Sequence, residues 1–67
     1  MKSRKFPSFN EAVSYCEERG SLKYFGRQGD KFEYCVYTLT IGVKIFHINI
    51  YDDGRLDVVD ERWKEFR

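Results

Sequence analysis

Apolar positions recur with two different periods along this chain, and the change of period divides it. Phe9, Ala12, Val13 and Cys16 follow the i, i+3, i+4, i+7 spacing of one helix face, while Asn10, Glu11, Ser14, Glu17 and Glu18 fall opposite. Pro7 precedes the run, and Ser8-Phe9-Asn10-Glu11 has the S-x-x-E form of a capping box. The spacing predicts a helix over residues 9–19, with Gly20 at the position where a left-handed residue ends it. Three turns are marginal alone in water, so this helix must dock on something.

Beyond Gly20 the chain reads as strand. Candidate strands cover residues 22–28, 31–39, 43–51 and 55–59, rich in β-branched and aromatic side chains. Gly29-Asp30, Gly42 and Asp52-Asp53-Gly54 punctuate them as turns. Asp60 could cap a short C-terminal helix carrying Trp63 and Phe66 one turn apart. The expected fold class is α+β in two layers: one N-terminal helix on a four-stranded antiparallel meander, with room for that short C-terminal helix. A single domain spans residues 1–67, with residues 1–7 as a basic N-terminal arm.

Register decides which side chains share a face, because a slip of one residue exchanges them. In the last hairpin a three-residue loop with Gly54 left-handed pairs Ile50 with Leu56, Ile48 with Val58, Asn49 with Asp57 and His47 with Val59. That register separates apolar from polar residues best. Phe46, Ile48, Ile50, Leu56 and Val58 then face the helix, and Ile45, His47, Asn49, Tyr51, Arg55, Asp57 and Val59 face away. In the middle hairpin a three-residue loop ending at Gly42 puts Phe32, Tyr34 and Val36 under the helix and Glu33, Cys35, Tyr37 and Leu39 outside. A two-residue loop reverses these sets. The first leaves Glu33 in water and is preferred.

Composition turns this geometry into a question about partners. Twelve of the 67 residues are aromatic: six Phe, five Tyr and one Trp. A chain of this size buries only about 60% of its unfolded surface, so its stability margin is small. One short helix can cover only one sheet face, and the other keeps exposed Tyr, Ile and Leu surface of the kind that marks an interface. The expected protein interface is Tyr37, Leu39, Ile45, His47 and Tyr51, with Trp63 as an edge anchor. Its expected occupant is a second copy in an isologous homodimer. Small charged-aromatic α+β proteins also serve phages and mobile elements by occluding a host protein, so another protein is an alternative partner.

Net charge is +1, so no global field points to nucleic acid or an anionic membrane. Lys2, Arg4, Lys5, Lys23, Arg27 and Lys31 would form a local positive region if they lie together. Sheet aromatics could then stack the bases of a single-stranded nucleic acid, the alternative function. Gly26-Arg27-Gln28-Gly29 has the spacing of an RNA-clamping G-x-x-G loop, but it ends a strand and reads as a turn.

Catalytic chemistry has little support. His47 could meet Asp57, Glu33 or Cys35 across neighbouring strands, and a Cys35–His47 contact would be the most reactive choice, with an activated thiolate. Cys16 and Cys35 are too few for a disulfide framework and, with one histidine, for a zinc site. They read as buried small apolar residues, with a bridge between them as the other option. No enzyme activity, cofactor or metal is expected. No apolar run approaches the ~20 residues of a membrane span, and the basic start lacks a secretory apolar stretch. A cytoplasmic location is the resulting expectation.

Overall fold

The computed structural model describes residues 2–63, with side chains for residues 3–61. The elements are β1 (Lys2–Lys5), α1 (Phe9–Glu17), β2 (Ser21–Gln28), β3 (Tyr34–Ile41), β4 (Lys44–Tyr51) and β5 (Arg55–Trp63). All five strands form one antiparallel sheet in the order β1-β5-β4-β3-β2. The class is α+β with a helix on a sheet, but the sheet has five strands rather than four.

The additional strand is the basic arm. Lys2, Ser3, Arg4 and Lys5 pair with Val58, Asp57, Leu56 and Arg55. The arm carries no apolar alternation, and charged residues are what an outer strand uses to blunt its edge. Its anchor follows it: Phe6 is buried and donates its N–H to the Gly54 carbonyl at 2.9 Å. The expected helix beginning at Asp60 is not formed. Residues 60–63 extend β5 and pair with His47, Phe46, Ile45 and Lys44, because the ladder to β4 satisfies their backbone. Phe66 lies outside the described residues.

Ser8 caps α1, its Oγ accepting the Glu11 N–H at 3.2 Å. The helix stops earlier than residue 19. Glu18 is the C-cap in the right-handed region, and the Arg19 and Gly20 N–H groups both donate to the Cys16 carbonyl, at 3.0 and 3.2 Å. Gly20 has no positive φ, so it is not a left-handed cap. It is small for another reason: a Cβ there would overlap the Thr40 carbonyl oxygen on β3.

The β4–β5 hairpin has the expected register at Ile50–Leu56, Asn49–Asp57 and Ile48–Val58, with Gly54 at φ 96°. Beyond it the register shifts, so His47 pairs with Asp60 and not with Val59, which is left as the extra residue of a β-bulge. The β3–β4 hairpin reverses the preferred expectation. Ile41 pairs with Lys44, leaving a two-residue loop whose first residue, Gly42, has φ 60°, the pattern of a type II′ turn. Cys35, Tyr37 and Leu39 therefore share a face with Ile50, Ile48 and Phe46, under the helix. Tyr34 and Val36 lie on the open face. Glu33 favours the other register only as a strand residue; it stands outside the strand and accepts the Lys31 N–H at 2.9 Å, so it places no demand on either face.

The core joins Ala12 and Cys16 of α1 to Leu39, Ile48, Ile50 and Leu56 of the sheet, with Phe6 closing one end. Each fully buried Leu or Ile contributes about 1.5–3 kcal/mol. This core lies on one side of the sheet only.

Candidate functional site

Strand alternation brings Tyr34 and Val36 of β3 beside Ile45, His47, Asn49 and Tyr51 of β4 on the face opposite α1, and every one of these is half-buried. Among the described residues no element covers this face. Three of the expected interface residues, Ile45, His47 and Tyr51, are there. Tyr37 and Leu39 are not. Leu39 is in the core, and Tyr37 packs against that core with its ring 5.5 Å from that of Tyr24. Burial raises the Tyr37 phenol pKa above its ordinary value. The backbone of Trp63 pairs with Lys44 near the end of β5. Tyr34 and Val36 were missed, and the signal for them was Gly42 as the first residue of a two-residue loop.

One end of the open face is built from a fixed network. The Tyr34 and Tyr51 rings stand 4.9 Å apart, and the Arg55 guanidinium lies 4.7 Å from the Tyr51 centroid. Arg55 donates from Nε and Nη2 to both oxygens of Asp57, at 3.0 and 2.8 Å, and Ser3 donates its hydroxyl to the same carboxylate at 2.5 Å. Asp57 is only 4% exposed. Burial pushes its pKa up, but the bonds from Arg55 and Ser3 outweigh this and hold it below the ordinary carboxylate value. The same pairing raises Arg55.

His47 finds Asp60, with Nδ1 3.4 Å from Oδ2. Cys35 lies on the opposite face, Glu33 lies in a loop and Asp57 pairs across from Asn49, so none of the three expected partners meets it. Both cysteines are free and buried. Burial pushes the Cys16 thiol up to about 11, with Arg19 opposing it, and such a thiol is a poor nucleophile at neutral pH. Among the described residues no cluster of three His, Cys, Asp or Glu is placed to hold a metal. No described helix is long and apolar enough to cross a membrane.

The basic residues do not converge. Lys2, Arg4 and Lys5 are on β1, at one edge of the sheet; Lys23 and Arg27 are on β2, at the other; Lys31 follows in the adjoining loop. Three strands intervene, a separation of roughly 19 Å at ~4.8 Å per strand. Several are also engaged. Lys5 donates to the Asp53 carbonyl at 2.7 Å, and Arg27 to Asp52 at 2.8 Å and the Phe32 carbonyl at 2.6 Å.

No protein-family model, curated protein or solved structure matches this chain. The class that the fold defines is a small α+β protein with a single-layer sheet open on one side.

Proposed function

We propose that this protein is a non-enzymatic protein-binding module that homodimerises through its open sheet face. The observation that carries the reading is the row of half-buried Tyr34, Val36, Ile45 and Tyr51 with nothing covering it among the described residues. Five strands at ~4.8 Å and about eight residues at ~3.3 Å give a face of roughly 600 Å². Two such faces would bury about 1,200 Å², at the lower end of specific interfaces. A second copy would cover the apolar row, and a network already fixed by Arg55 and Asp57 would lose little entropy on binding. Size-exclusion chromatography with light scattering tests this. A mass of about twice 8.1 kDa is expected, shifting to the monomer in Ile45→Glu. A monodisperse monomer of the unaltered chain at micromolar concentration refutes the homodimer.

Single-stranded nucleic-acid binding is the second reading, favoured by the Tyr34–Tyr51 ring pair beside Arg55. Salt-dependent anisotropy changes with a labelled oligonucleotide would support it. Their absence at low ionic strength removes it.

A further inference from the structure

A second surface lies on the helix side, away from the open face. Two adjoining hollows of about 280 and 150 Å³ share Tyr15, Leu56 and Val58 and form one groove along the seam between α1 and the sheet. Its floor is apolar, and Phe6 and Phe46 extend it in the two directions. The charges on it are all of one sign. Arg4 lies 4.7 Å and Arg19 3.4 Å from the Tyr15 ring centroid, and no carboxylate lines either hollow.

Both guanidinium groups retain donors for a ligand. Arg4 lies over Tyr15 and, at 4.9 Å, over Phe6, and makes no hydrogen bond or ion pair among the described residues. Arg19 gives one bond to the Tyr15 carbonyl at 2.9 Å, and its carboxylate neighbour Glu18 is 3.9 Å away and largely exposed. A guanidinium held over a ring by its charge keeps its N–H donors in a fork that matches a carboxylate.

The geometry points to a docking groove for an acidic, apolar peptide, with bulky aliphatic or aromatic side chains in the two hollows and carboxylates against Arg4 at one hollow and Arg19 at the other. Neither hollow alone reaches the ~300–1,000 Å³ of sites that enclose a small molecule, and a ligand confined to one leaves the other unfilled. A peptide advancing about 3.3 Å per residue can instead place separate side chains in both. This site is independent of the dimer face, so the peptide and a second copy do not compete.

The test uses fluorescence anisotropy with a labelled hexapeptide alternating glutamate and leucine, titrated with the full chain to about 1 mM. Saturable binding is expected. It should weaken at least about tenfold when glutamine replaces glutamate, and likewise in Arg4→Ala and Arg19→Ala, from loss of charge-assisted hydrogen bonds. Circular dichroism identifies a variant that fails to fold, and Arg4→Lys, which keeps the charge but not the fork, should bind between Arg4→Ala and the original chain. Ile45→Glu on the open face should leave peptide binding unchanged, which separates this site from the dimer. The proposal is overturned by no saturable binding, by equal binding of a lysine–leucine peptide, or by unchanged binding in folded Arg4→Ala, Arg19→Ala double variants. Binding of laurate with none of the peptide would overturn the peptide assignment.

Discussion

Replacing Asp57 by Asn keeps the shape of the side chain and removes its charge. Asp57 is almost fully buried and accepts three hydrogen bonds, two from Arg55 and one from Ser3. Bonds to a charged group contribute about 1.5–3 kcal/mol each, but the Arg55 side chain is 50% exposed and water replaces part of its loss. The net destabilisation expected for Asp57→Asn is therefore about 1–2 kcal/mol at pH 7. For a domain this small, that lowers the melting temperature by roughly 5–15 °C. The pH dependence is a sharper readout. The folded pKa of Asp57 lies below its unfolded value, so its contribution is complete above the unfolded pKa, about 3.9, and is lost as pH falls through the folded pKa. Urea unfolding followed by circular dichroism should show a clear gap between the two proteins at pH 7 that narrows below about pH 3. Because Ser3 belongs to β1, amide exchange along Lys2–Lys5 should also quicken in the variant. Equal stabilities at pH 7, or a gap of unchanged size at about pH 2, would refute the account.

Three other outcomes follow from the packing. Ile50→Ala, at a fully buried position, should cost about 2–5 kcal/mol in urea unfolding. Gly20→Ala should destabilise although its backbone is ordinary, since the new Cβ meets the Thr40 carbonyl, whereas a Cβ at Gly42 would meet nothing and Gly42→Ala should cost about 1–2 kcal/mol, through its positive φ alone. Thiol labelling at pH 8 should be slow in the native protein, because Cys16 and Cys35 are buried and the Cys16 pKa is about 11, and should reach two labels per chain in denaturant.

How far the chain could be read depended on what each signal measures. The Ser8 cap and the loop at Gly54 are local, each set by a few adjacent residues, and both were legible. The faces of β3 were not, because a glutamate at position 33 favours one register only if it belongs to the strand, and its carboxylate closes a loop. That single misassignment moved Tyr37 and Leu39 onto the wrong side of the expected interface. β1 left no trace in its own four residues; it is held by Phe6 beside it and by Asp57 and Gly54 at the other end of the chain. The groove between Arg4 and Arg19 depends on β1 and was invisible for the same reason.

The pairing of the first strand with the last has a consequence for synthesis. Lys5 leaves the ribosome roughly 50 residues before Arg55, several seconds at about 5–20 residues per second. Until then β1 has no partner, while β2, β3 and β4 can close as consecutive hairpins within microseconds of emerging. The basic, apolar-poor character of Lys2–Lys5 suits a segment that must wait in water without aggregating. The first strand of this sheet to be made is thus the last to be placed, and the arrival of β5 sets the moment at which β1 can join it.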